Sequence, residues 1–256
     1  MIITIIHGLA AKPEYPVLKC GCTRALGREI QLAYWADLMG YKPVPDYDGA
    51  RPYAPWEKMI LPIRGAVRWI AKEGFEIGLN PDDDPRHWVK KKLHDWLISK
   101  TDSLSLRMYH SLLPDLDRYF NHGFRDSVKS RLVQKLPCDV LIAHSMGSII
   151  AADLLADGIY SVPRLITIGS PLGIGFVQEQ LGLNTYARRE MLRRKVGQWI
   201  NINDPLDIVA LDSDLSDEFT GVKDLKVWNE QVDVNGHRHH HSLYGYLRSK
   251  VLQEQL

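Results

Sequence analysis

Ser145 sits in Ala143-His144-Ser145-Met146-Gly147, between an apolar run ending at Ala143 and a second one from Ile149 to Leu155. A serine with small residues two positions to either side suits a sharp strand-to-helix turn from which its hydroxyl projects. The N–H groups opening the following helix then point at whatever binds beside that hydroxyl. A hydroxyl is a poor nucleophile until a base takes its proton, and the base needs an acid to fix its tautomer. The plain alternative is an ordinary turn with an inert serine, and Ala143 stands where glycine is usual. Whether Ser145 could do chemistry depends on what the rest of the chain supplies.

Downstream, a strand ending at Asn203 runs into Asp204-Pro205-Leu206-Asp207-Ile208-Val209. Asp204 precedes a proline, as turn-initiating residues do, and reads as structural. Asp207, with an apolar anchor two residues on, is the preferred acid. Further downstream, His237, His239, His240 and His241 crowd the loop after the last strand and supply the candidate bases. His241, directly before the closing helix, is the first choice and His240 the second. The same run could be a solvated loop or a metal-binding tract. Adjacent loop histidines, however, rarely converge on one ion without other ligands. Two backbone N–H groups must meet the oxygen that gains charge. Met146, opening the helix, offers one. His7-Gly8-Leu9, ending the first strand, offers Leu9 N–H as the other, with Gly8 allowing close approach.

The elements that must position these groups alternate between strand and helix. Ile2–Ile6 is a β-branched run that reads as a central parallel strand. A helix is expected near 17–26, and strands over 29–35, 140–143, 163–168, 198–203 and 224–229. Helical patterns cover 124–136, 177–196 and 243–252. Between 53 and 137 the pattern turns to helices with long polar faces, as in Trp88, Val89, Leu93, Trp96 and Leu97. Alternating strands and helices predict a mostly parallel sheet of the α/β class with helices on both faces, and such sheets bind ligands at the carboxyl ends of their strands.

Composition narrows the function classes. The 256 residues are 45% hydrophobic and 25% charged with a net charge of +1. That leaves no field to attract nucleic acid or an anionic membrane. No run is apolar enough to span a bilayer. Three cysteines (Cys20, Cys22, Cys138) make no disulfide framework, which predicts a reducing, cytoplasmic setting. There is no phosphate-binding loop, and no cofactor or metal is expected.

Taken together, Ile6-His7-Gly8-Leu9, Ala143-His144-Ser145-Met146-Gly147, Ile168-Gly169-Ser170-Pro171-Leu172, Asp207-Ile208-Val209 and His241-Ser242-Leu243-Tyr244 resemble the α/β-hydrolase superfamily, in its lipase/esterase-like bacterial branch. Tyr34-Trp35-Ala36-Asp37 is similar to a strand end in the same group. The resemblance spans residues 1–50 and 137–256. It implies Ser145 as nucleophile, His241 as base and Asp207 as acid, with the Leu9 and Met146 amides as oxyanion hole and a small-molecule ester as substrate. The chain begins at what looks like the third strand of the full fold, so about six parallel strands are expected. Residues 53–123 would be a helical cap inserted into a single domain, 1–256.

Overall fold

The computed structural model describes residues 1–8, 12–45, 114–121, 123–205, 207–210, 214–232 and 239–256. Most of the expected insertion at 53–123, and Leu9, lie outside the described residues. Among the described residues six strands form one sheet: β1 (Ile3–Ile6), β2 (Gln31–Ala33), β3 (Val140–His144), β4 (Val162–Ile168), β5 (Val196–Asn203) and β6 (Val222–Lys226). Their order is β2-β1-β3-β4-β5-β6, and every pairing is parallel. β1 and β3 are buried along their whole length, as central strands of a parallel sheet covered on both faces must be.

Two layers of helix follow from the side-chain alternation of the strands. Ile3, Ile5, Val140, Ile142, Ile166 and Ile200 share one core with α1 (Tyr15–Leu26) and the C-terminal pair α7 (Leu243–Arg248) and α8 (Lys250–Gln253). In α1 the buried residues are Leu18, Gly21, Cys22, Ala25 and Leu26, one stripe at helical spacing. Burying each leucine of that stripe contributes about 1.5–3 kcal/mol. Gly27, at φ +70°, ends the helix by donating its N–H to the Thr23 carbonyl. On the opposite face α4 (Met146–Ala156) packs against β1 and β3, and all eleven of its residues are buried. α2 (Pro114–Asn121), α3 (Arg125–Val133), α5 (Gly175–Gln180) and α6 (Tyr186–Lys195) complete the helices among the described residues.

A helix buried all round must satisfy any polar group it carries. Asp153 of α4 does so with the Arg125 guanidinium (2.5 and 2.7 Å), Arg188 (2.9 Å) and the Tyr119 hydroxyl (2.6 Å). Burial alone would raise its pKa, but the hydrogen bonds from Arg125 and Tyr119 and the nearby positive charges hold it below the usual carboxylate value. The effect is to tie α4 to α2, α3 and α6.

Several boundaries differ from those the pattern suggests. β2 is shorter than 29–35, because Trp35 leaves the ladder for a 3-10 turn at Ala36–Met39. The helical pattern over 177–196 is two helices with Gly182 at φ +65° between them. The closing helix breaks at Ser249 (ψ 137°), whose hydroxyl caps the last turn by accepting Leu252 N–H. β6 runs over Val222–Lys226 in place of 224–229, which leaves Asn229 outside the sheet. No helix among the described residues is long and apolar enough to cross a membrane.

Candidate active site

Register decides which residues meet. Ile6 pairs with Ala143, His144 with Ile168, and Ile168 with Ile202. The residues just past the ends of β1, β3, β4 and β5 therefore share one edge of the sheet: His7-Gly8, Ser145, Gly169 and Asp204. The ladder continues into them, with Ser145 N–H donating to the Ile168 carbonyl and Gly169 N–H to the Ile202 carbonyl, both at 3.1 Å.

Ser145 is the non-glycine residue with positive φ among the described residues, at φ 55° and ψ −127°. Such a conformation costs on the order of 1–3 kcal/mol and persists only where surroundings over-determine it. Here they do. The Ser145 carbonyl accepts from Ser148 N–H (2.9 Å) and from the Ser148 hydroxyl (2.6 Å). Gly147 lies so close to β1 that a Cβ would stand 2.6 Å from the Ile6 carbonyl oxygen. A Cβ on Gly8 would stand 2.6 Å from Ser145 Cβ, so the segment leaving β1 lies directly on the serine. Ser145 Oγ is buried and makes no hydrogen bond among the described residues. Met146, first residue of α4, has an N–H without an acceptor inside the helix.

Asp207 and His241 meet at 2.7 Å through Oδ2 and Nδ1. A carboxylate only accepts, so Nδ1 carries a proton, and in the neutral ring Nε2 has a lone pair to offer. The Tyr246 hydroxyl accepts from Asp204 N–H (3.0 Å) and donates to the same Asp207 oxygen (2.7 Å). Val209 N–H donates to the other (3.0 Å). Burial alone would raise the Asp207 pKa. The charge and hydrogen bond of His241, with the donors of Tyr246 and Val209, outweigh that and hold it below the ordinary carboxylate value. The pair lies against Gly169, where φ is +54° and a Cβ would stand 2.8 Å from Asp207 Oδ2 and 3.0 Å from His241 Nδ1. Gly169 directly follows the residue that receives Ser145 N–H, so serine and dyad flank the same strand end.

Asp204 does more than turn the chain. Its Oδ2 accepts from His240 Nδ1 and from Asn229 N–H, both at 2.8 Å, giving a second buried His–Asp pair beside the first. The Asn229 side chain donates to the carbonyls of His240 (3.2 Å) and Ser242 (2.9 Å). It fills the space beside Gly245, where a Cβ would stand 1.7 Å from Asn229 Oδ1.

His7 is fixed as the neutral ring. Its Nδ1–H donates to the Gly8 carbonyl (2.8 Å), and Nε2 accepts from Trp35 N–H (3.1 Å). The ring stacks on Trp35 at 4.9 Å and 11°. Burial, then the charge of Lys12, push its pKa down to about 3.

Ser145, Asp207, His241 and Met146 thus come to one edge of the sheet, whereas Leu9 and His237 lie outside the described residues. Tyr246, Asn229 and Gly169 escaped the sequence reading as site residues. Tyr246 falls in an apolar helix pattern, Asn229 in what looks like a strand, and Gly169 at an ordinary strand end. Among the described residues no three His, Cys, Asp or Glu side chains are grouped to hold a metal ion. No protein-family model, curated protein or solved structure matches this chain.

Proposed function

We propose that the protein is a serine hydrolase of the α/β-hydrolase type that cleaves a carboxylic ester through an acyl-serine intermediate. The observation that carries this reading is the buried Asp207–His241 pair, at 2.7 Å, beside the strand end to which the strained Ser145 is bonded. Six parallel strands, with serine after β3, acid after β5 and histidine after β6, follow the chain order of that superfamily.

In the reaction, His241 Nε2 takes the proton of Ser145 Oγ as the oxygen attacks the ester carbonyl carbon. Asp207 holds Nδ1–H and stabilises the imidazolium that forms. The carbonyl oxygen gains charge against Met146 N–H, which has no acceptor inside the helix. Collapse breaks the bond to the alcohol oxygen, which leaves with the proton from His241. Water, deprotonated by the same nitrogen, then releases the acid. Asp204 and His240 form the reserve pair in this scheme, and their contacts to Asn229 fit them to brace the loop.

One observation favours a second reading, a binding protein on the same scaffold: Ser145 Oγ is bonded to no imidazole among the described residues. Catalytic hydrogen bonds are often long without substrate and tighten on binding, so the hydrolase reading stands first. The deciding experiment is covalent labelling with a fluorophosphonate, followed by mapping of the modified peptide. Label on Ser145, lost together with p-nitrophenyl ester cleavage in a folded Ser145→Ala variant, supports the hydrolase. Absence of label on the intact protein, or full turnover by that variant, refutes it.

A further inference from the structure

The residue before the serine carries a second message. His144 is the last residue of β3, paired with Ile168, and it is 5% exposed. Its Nε2 lies 3.1 Å from the main-chain carbonyl of His241. A carbonyl only accepts, so Nε2 carries the proton and Nδ1 is a bare lone pair. That Nδ1 is buried, makes no hydrogen bond among the described residues, and faces Gly8, 3.0 Å from where a Cβ would stand. The His144 ring lies against that of His241, with centroids 4.7 Å apart at 33°.

Three consecutive carbonyls around the proposed base are therefore each held by a side chain from elsewhere. Asn229 Nδ2 donates to those of residues 240 and 242, and His144 Nε2 to that of 241. Of these bonds, the one from His144 reaches the residue bearing the dyad imidazole itself. It springs from the strand whose next residue is Ser145, so one rigid element fixes both reacting groups relative to each other.

We infer that His144 is a positioning residue, whose Nε2–H locks the main chain of His241 at a set distance from the turn carrying Ser145. The role needs a donor at the far end of the side chain. Packing alone would be met by any ring of similar size. Burial, with the nearby His241, Lys12 and His7, keeps the His144 imidazole neutral, and the carbonyl at Nε2 selects its tautomer. The inference rests on the hydrolase reading for its catalytic meaning, but the geometry of the lock can be tested without it.

Three variants separate the possibilities. His144→Phe keeps a ring and removes the donor. His144→Asn keeps an amide too short to reach. His144→Gln places an amide N–H where Nε2 stood. Misplacing a reacting group by about 1 Å costs up to ~10²-fold. The rate of fluorophosphonate labelling at Ser145 is therefore expected to fall about tenfold or more in Phe and Asn, and to recover in Gln to within about threefold of the native rate. Phenylalanine labelling as fast as the native protein, or glutamine no faster than phenylalanine, overturns the inference. Should Phe fail to fold by circular dichroism, the Asn–Gln comparison decides. The second readout is the downfield proton resonance of His241 Nδ1–H, assigned by its loss in Asp207→Asn. It should persist in Gln and vanish or broaden in Phe and Asn. That signal serves even if the native protein takes no label. No label with a Gln-specific signal sinks the hydrolase reading alone, whereas an unchanged signal in Phe sinks the lock.

Discussion

Mild acid should weaken this fold through His7, because its buried ring is held neutral. The ring donates from Nδ1 to the Gly8 carbonyl and accepts at Nε2 from Trp35 N–H. Protonating Nε2 would set one N–H against another, so the native state holds the neutral ring. Its pKa is lowered from 6.5 to about 3, by burial first and then by Lys12. A depressed folded pKa means that the unfolded chain binds the proton first. The stabilising contribution is whole above about pH 6.5 and is lost progressively as pH falls toward about 3. At about pH 5 the unfolded state has gained roughly 1.5 pH units of proton binding, or about 2 kcal/mol. That is a large share of a typical 5–15 kcal/mol stability. His144 is shifted in the same direction, by burial and then by His241, and adds to the loss. Urea unfolding followed by tryptophan fluorescence, at about pH 7.5 and about pH 5, measures the total. His7→Gln isolates the histidine, since the Gln oxygen can still accept from Trp35 N–H but does not titrate. The stability gap between the native protein and this variant should shrink by about 2 kcal/mol between those pH values. A gap constant to within about 0.5 kcal/mol, the usual size of surface effects, would refute the reasoning. The site would feel the same change, because the Gly8 that His7 fixes lies against Ser145.

Substitutions at the two aspartates and at two glycines test how the dyad is built. Asp207→Asn offers His241 Nδ1 an amide and favours the wrong tautomer, so labelling of Ser145 should slow by about 10⁴-fold, the size of the effect in a protease triad. Asp204→Asn, which disturbs His240, should slow it by less than about tenfold, and a reversal of that order would hand the acid role to Asp204. Gly169→Ala would place a Cβ 2.8 Å from Asp207 Oδ2 at φ +54°, whereas Gly27→Ala meets nothing within 4 Å at φ +70°. Both should lose about 1–2 kcal/mol to backbone strain. Only the Gly169 variant should also lose the downfield His241 signal and the labelling rate, so equal effects at both sites would show that Gly169 is merely a turn.

The α/β class was readable from the chain because periodicity is local: the buried strands announce themselves as a β-branched run at 3–6 and an apolar run over 140–143, and helices fall between the strands. The turn around Ser145 was readable for a similar reason, since a Cβ on Gly147 would stand 2.6 Å from the Ile6 carbonyl oxygen, and small residues leave a mark in sequence. The sequence also placed the downstream polar residues near strand ends, which narrowed the candidate acid to Asp204 or Asp207 and the candidate base to four histidines.

Pairing them was another matter. His240 and His241 are neighbours in sequence with the same chemistry, and each finds a carboxylate of its own, His240 at Asp204 and His241 at Asp207. The place of His241 directly before the closing helix is the one local difference between them. The choice is made by Tyr246, by Gly169 and by Asn229, which lie 39, 38 and 22 residues from Asp207 and are brought to it or to its loop only by sheet register and by the packing of α7. His144 shows the same division. Its position beside the serine belongs to the sequence, while the carbonyl it grips lies 97 residues away. Hydrogen bonds between distant segments carry no periodicity, so only the folded chain decides them.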